Sequence, residues 1–191
     1  MVRKMAEAGH PLLKHKNKKV LNFTSPGIKK LLKDLRDTMY KTGLIGIAAP
    51  QIAENYMIFI THPRNTGSRK LVRADKLRIY INPKLTFKSK EESVIYEGCG
   101  SLGDIFGPVS RPKEIEVEAI DENGKKFRLR CDGILARVIQ HEYHHLMGVE
   151  FIEKVTDYKK VVVKKYYRKN IRLSKEQQEN SLTTRTEYKS I

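Results

Sequence analysis

Cysteine is scarce in this chain, which has two, Cys99 and Cys131. Two thiols make no disulfide framework, so stability must come from a packed core. Long apolar runs are missing too: no stretch approaches the roughly 20 residues of a membrane helix. The start does not read as a secretory leader, since Met1 to Val20 is basic and lacks an apolar centre. These absences predict a cytoplasmic protein without a membrane partner, and DNA is not expected either. Acidic residues are the minority, 22 Asp plus Glu against 38 Lys plus Arg, for a net charge of +16. A field of that sign suits a polyanion such as RNA, and equally a general basic bias that keeps a protein soluble.

At 191 residues the chain suits one domain with a sizeable core and an appended tail. Ser25-Pro26 opens a helix with apolar residues at Ile28, Leu31, Leu32, Leu35 and Met39, ended by Gly43. The small apolar stretch Leu44 to Gln51 follows, and Tyr56 to Thr61 reads as a strand. A basic loop from Pro63 to Lys76 contains Asn65, Gly67 and Ser68. Leu77 to Ile81 reads as a strand stopped by Asn82-Pro83, and Ser93 to Tyr96 as a short strand. Gly100 to Pro112 reads as a Gly/Pro-rich loop. Glu114–Ile120 and Lys126–Arg130 flank Asp121-Glu122-Asn123-Gly124 as a hairpin.

Asp132 is the expected N-cap of a helix running from Gly133 to Met147, with Gly148 as its stop. Strands packed against a few helices predict an α+β fold. After Phe151 the composition changes, dividing the chain into 1–151 and a basic extension, 152–191. In that extension the run around Val161-Val162-Val163 suits a helix or a strand, and Asn180 to Ile191 is expected to be poorly ordered.

Within the second helix lies His141-Glu142-Tyr143-His144-His145, a His-Glu-x-x-His pattern. Residues four apart share a helix face, about 6 Å along the axis. Two imidazoles there can ligate one metal ion while the adjacent Glu reaches its water. Short patterns recur by chance, so a partly polar helix face explains the histidines as well. Cys99 shifts the balance: a catalytic zinc-type site takes three protein ligands, and a thiolate on a glycine-flanked turn can be the third. Cys131, beside Asp132-Gly133, reads as a small buried residue.

Three segments, taken in order, resemble the peptide deformylase family. They are Ile45-Gly46-Ile47-Ala48-Ala49-Pro50-Gln51, Glu97-Gly98-Cys99-Gly100-Ser101, and Gln140-His141-Glu142-Tyr143-His144-His145-Leu146. Gly9-His10-Pro11-Leu12-Leu13, Ile81-Asn82-Pro83 and Asp132-Gly133 are similar to further family landmarks, and the loop Arg64 to Lys76 is longer than the family's. The resemblance covers nearly everything from Gly9 to Phe151. It implies antiparallel sheets around a central metal-binding helix. It also implies a metal-dependent hydrolase that removes formyl from formylmethionyl nascent peptides and releases formate.

The implied metal ligands are Cys99, His141 and His145, around one divalent ion. Fe(II) is the expected native metal, with Zn(II), Ni(II) or Co(II) as substitutes. Glu142 is then the proton acceptor, and Gln51 and the Gly100 N–H hold the developing oxyanion. The peptide is expected to pair with Ile45-Gly46 and Gly98, and its methionine to sit by Ile45, Ile134 and Val138.

Three positions depart from the family: Leu44 where it has Gly, Gly100 where it has Leu, and His144 where it has an Asp paired with the counterpart of Arg111. These departures keep open a second reading, a divergent member with little or no turnover that binds peptides or ribosomes. A His-Glu-x-x-His protease is disfavoured, because its third ligand usually lies downstream. The basic extension suits a ribosomal RNA contact and equally a solvated terminal helix.

Overall fold

A computed structural model describes residues 1–67 and 69–191; Ser68, in the basic loop, lies outside the described residues. The first helix, α1 (Pro26–Thr42), starts where the Ser25 hydroxyl accepts from the Ile28 N–H and ends at Gly43. Its stripe of Ile28, Leu31, Leu32, Leu35 and Met39 packs on β1 (Gly46–Ala48) and β2 (Ile58–Thr61). Each such side chain contributes about 1.5–3 kcal/mol when fully buried. A short 3-10 turn, Ala49–Ile52, follows β1 and carries Gln51.

β3 (Arg78–Lys88) does not stop at Asn82-Pro83. Asn82 takes a left-handed φ of 51°, its side chain bonds both backbone groups of Val20, and the register shifts between Ile81 and Lys84. Pro83 thus sits in a bulge, where no ladder donor is needed. β4 (Glu92–Gly98) pairs along its whole length with β5 (Ile105–Pro112), a strand where a loop was predicted. Ladder pairing there overrides the local turn preference of Gly107 and Pro108.

β6 (Glu114–Ile120) and β7 (Lys126–Asp132) form the predicted hairpin and lead into α2 (Gly133–Leu146). Asp132 holds the N-cap position, but its carboxylate turns away and accepts from the N–H groups of Thr184 and Arg185 at 2.7 and 2.8 Å. The Thr183 hydroxyl accepts from the Leu135 N–H instead.

Beyond Phe151 the chain stays part of the fold. β8 (Val162–Val163) joins β5, α3 (Lys164–Tyr166) continues into a π-turn, Tyr167–Ile171, and α4 (Lys175–Ser181) follows. β9 (Thr186–Ser190), in the stretch expected to lack order, pairs with β7. One sheet runs β1-β2-β3-β6-β7-β9 and the other β4-β5-β8, with antiparallel neighbours throughout. The fold is α+β, with α2 between the sheets. Leu135, Ala136, Ile139 and Leu146 enter the core of the larger sheet, while Arg137 and His141 reach β4.

Candidate active site

Three elements converge at the C-terminal end of β4. α2 presents His141 and His145 one turn apart, with ring centroids 5.0 Å from each other. The turn after β4 brings Cys99 Sγ to 3.2 Å from His145 Nε2. The turn after β1 supplies Gln51, whose Oε1 accepts from Ala48 N–H at 2.8 Å and whose Nε2 donates to Cys99 Sγ at 3.3 Å. One ligand atom each from Cys99, His141 and His145 lies within 4.8 Å of the others, and all three side chains are buried or nearly so.

The electrostatics of the cluster follow from its neighbours. Burial works against a Cys99 thiolate, but His145 and His141 outweigh it and hold the thiol well below its ordinary range. Glu97 is buried too, yet Arg111 beside it keeps the carboxylate charged. Arg111 binds Glu97 through Nε and Nη2 at 2.6 and 2.8 Å, and Arg137 Nη1 adds a third bond at 3.0 Å. The remaining bond to Glu97 comes from His141 Nδ1 at 2.9 Å. A charged carboxylate only accepts, so His141 Nδ1 carries the proton and leaves Nε2 for the cluster. Burial opposes a charge on His141, while Cys99 and Glu97 favour it and lift the ring to about 10. Burial pushes Glu142 up to about 7, against His141 and His145.

His144 solves the problem posed by the missing family Asp. Arg111 is 2% exposed, and its Nη1 lies 2.8 Å from His144 Nδ1. A guanidinium can only donate, so His144 accepts as a neutral ring. Burial and the Arg111 charge agree with that, pushing His144 down to about 3. The charge of Arg111 is balanced by Glu97.

Leu44 and Gly100 are neighbours. A Cβ built on Gly100 would stand 3.1 Å from Leu44 Cδ1 and 3.1 Å from Met5 Cε. The Leu44 side chain therefore fills the space beside residue 100. Gly46 has a separate reason to be glycine: a Cβ there would meet Val138 Cγ1 at 2.5 Å and Glu142 Oε1 at 2.6 Å.

The expected site residues mostly line one cavity of about 420 Å³. Gln51, Cys99, His141 and Glu142 form its floor, with Gly98 and Gly100 beside them. Ile45, Gly46, Ile134 and Val138 line it too; His145 lies behind, 1% exposed. That Glu97 would bond His141, with Arg137 bound to the same carboxylate, was not anticipated. Arg137, four residues before His141 and so on its helix face, was the available signal. Nor was it anticipated that Tyr167, Arg168 and Gln177 of the tail would line the cavity, and no motif announces them.

The donors fit a metal ion. One thiolate and two imidazoles are the soft-to-borderline ligands of a three-ligand catalytic site, which keeps one position open. Glu142 Oε2 is buried beside them without a hydrogen-bond partner among the described residues. Such a cluster, on an α+β fold and lining a groove, could hold a metal ion and fits the metal-dependent class of hydrolases.

The chain matches the family model for polypeptide deformylase over residues 2–161. The peptide deformylase of Pseudothermotoga lettingae is 37% identical over 165 residues, 86% of this chain and 90% of that protein. Peptide deformylase 1 of Ralstonia nicotianae is 36% identical over 167 residues, 87% and 91% of the two chains. The crystal structure of the Thermotoga maritima deformylase superposes with a TM-score of 0.74 at 29% identity, covering 82% of this chain and 99% of that one. The Met-Ala-Ser-bound deformylase of Acinetobacter baumannii gives 0.76 at 28% identity, with 81% and 99% covered. This chain belongs to the polypeptide deformylase family. It is an enzyme that removes the N-terminal formyl group from nascent peptides.

Proposed function

We propose that Cys99, His141 and His145 hold one divalent ion, and that Glu142, Gln51 and Gly100 act on the formyl group of formylmethionyl peptides beside it. Fe(II) is the native metal in this reading, with Zn(II), Ni(II) and Co(II) as substitutes. The supporting observation is the convergence of one thiol and two imidazoles within 4.8 Å beside a buried carboxylate oxygen that has no hydrogen-bond partner among the described residues. When bound, the ion supplies a water whose pKa is lowered to about 7 and a Lewis acid for the carbonyl.

Glu142 takes the proton of the attacking water and returns it to the amine nitrogen as the C–N bond breaks, giving formate and a free amino terminus. Gln51 Nε2, aimed by the Ala48 N–H on its Oε1, donates to the formyl oxygen as that oxygen gains charge, together with the Gly100 N–H. The peptide lies extended between Ile45-Gly46 and Gly98, with its methionine side chain against Ile45, Ile134 and Val138. The Acinetobacter baumannii relative has Met-Ala-Ser bound, which supports a methionyl peptide as the ligand.

Residues 1–151 are the catalytic unit in this reading, and 152–191 an extension folded onto it, working in the cytoplasm. Lys159, Lys160, Lys165 and Lys169 of the extension are exposed, which favours a contact with ribosomal RNA that weakens steeply with salt. Ribosome binding that is unchanged when these lysines become Glu rules the contact out.

The test of the main reading is formate release from formyl-Met-Ala-Ser by protein loaded with Fe(II), Ni(II) or Co(II). Turnover that Glu142→Ala abolishes is the expected result. No release with any metal favours the alternative, a peptide- or ribosome-binding relative without chemistry.

A further inference from the structure

We propose that the segment from Lys164 to Ser181 is the outer wall of the peptide groove, and that its basic face makes the enzyme prefer peptides with an acidic residue shortly after the formylmethionine. The proposal rests on the deformylase reading and names a substrate preference for the same site. The segment lies outside the family match, which ends at residue 161.

Its placement follows from an open strand edge. β4 is the outer strand of its sheet, so its far side has unpaired backbone groups. Alternate residues face one edge, here Val94, Tyr96 and Gly98. Gln177 of α4 takes both groups of Tyr96: its Oε1 accepts from the N–H at 2.9 Å and its Nε2 donates to the carbonyl at 3.3 Å. Asn180 Nδ2 donates to the Val94 carbonyl at 3.3 Å. Side-chain amides thus occupy the edge that a longer peptide strand would use. Gly98, next along, receives no bond from α4 among the described residues. An extended peptide can pair at Gly98 and must then leave the sheet.

What it meets on leaving is aromatic and cationic. Tyr167 stacks on Phe106 with ring centroids 4.1 Å apart and planes 6° from parallel, and its hydroxyl is 3.4 Å from Gln177 Nε2. Tyr167 and Gln177 are 8% and 7% exposed, so the wall is packed in place. Outside the catalytic floor, the cavity is lined by Arg69, Lys70, Lys164, Arg168 and Arg172, with Asp104 as the acid. Asp104 is already paired with Lys164 at 2.8 Å. No carboxylate pairs with Arg69, Lys70 or Arg168 among the described residues. Burial, joined by the charges of Arg172 and Arg64, works against the charge on Arg69. An incoming carboxylate relieves that repulsion, and an incoming lysine adds to it.

The test compares two series on metal-loaded full-length protein: formyl-Met peptides with Glu at the second, third or fourth place, and the same peptides with Gln. The expected result is kcat/KM higher for Glu at one of these places by about three- to fivefold, the size of a partly exposed ion pair. The difference should reside in KM and shrink at high salt. Arg168→Glu should invert it. The formyl-free products, Met-Glu-Ser and Met-Gln-Ser with their one-place-shifted versions, should show the same order in direct titration, which needs no turnover. Equal binding of the Glu and Gln products overturns the proposal, whether or not the enzyme turns over. Absence of formate release from every peptide contradicts the deformylase reading, while the titration still decides the preference.

Discussion

Cys99 and Cys131 lie almost equally deep, 5% and 0% exposed, and are chemically opposite. Cys131 sits on β7 in the apolar core beneath α2. Burial pushes its thiol far up, helped by Asp132 and Asp75. The same burial acts on Cys99 and is overruled by His145 and His141. Depth sets the cost of a charge, and the sign of the neighbours decides whether it is carried. The contrast extends to the regions around each thiol. Around Cys131, shape does the work; around Cys99, charge does, and His145 Nδ1, Ser101 Oγ and Glu142 Oε2 stay without a hydrogen-bond partner among the described residues.

Serine at each position tests that contrast most strongly. Cys99→Ser should lower metal affinity by more than the 10–100-fold typical of losing an outer partner, roughly, and turnover should fall with it. Metal titration against a colorimetric chelator reads this out. Cys131→Ser should keep its metal and lose about 1–3 kcal/mol of stability, the cost of a poorly partnered hydroxyl in an apolar core. If the two variants bound metal equally well, the contrast would be wrong.

Arg111→Ala probes the polar region's internal balance. It leaves Glu97 with Arg137 and His141 and takes the donor away from His144. Removing one partner of a buried pair costs about 3–5 kcal/mol, measurable as a drop in the urea midpoint. A loss below 1 kcal/mol, about that of a surface pair, would show that the cluster is not desolvated.

Gly100→Leu asks whether shape also matters next to the chemistry. Alone it should cost about 1–3 kcal/mol through crowding against Leu44 and Met5. Adding Leu44→Gly should recover most of that, giving a coupling that a double-mutant cycle reads directly. Additive effects would mean that the two departures from the family pattern are unrelated.

The smallest expected effect is acid sensitivity at Asp34, far from both thiols. Its buried carboxylate is bonded by Lys30, the Met1 amino group and Arg3, which hold it well below the ordinary range. The folded state therefore favours the charged form. The stabilisation is complete above the usual carboxylate pKa of about 4 and is lost as pH falls below it. Asp34→Asn should flatten the decline in melting temperature between about pH 4 and pH 2. An unchanged slope would assign acid unfolding to other groups.

Legibility from sequence followed the range of the interactions. α1 and α2 could be read because helical spacing and their start signals are local, and the β6–β7 hairpin because Asp121 to Gly124 makes its own turn. β3 could not be followed through Pro83, since the bulge depends on Asn82 binding Val20, far away in sequence. β5 and β9 were missed because ladders supply the order that Gly107, Pro108 and the polar tail do not encode locally. In the site, Cys99, His141, His145, Glu142 and Gln51 stood in short motifs. Arg137, Tyr167 and Gln177 stood in none.

The sequence by itself determined the chemistry of this protein: a two-histidine helix face, one glutamate beside it, and a cysteine on a glycine turn. Those features need only a helical period and a short loop. The tertiary structure alone decided what surrounds them. It made His144 a neutral acceptor for Arg111, set Leu44 against Gly100, and folded Gln177 and Asn180 of α4 onto the β4 edge. Each of these depends on groups distant in sequence becoming neighbours in a dry interior, where a charge or a volume must be matched by whatever the fold brings to it.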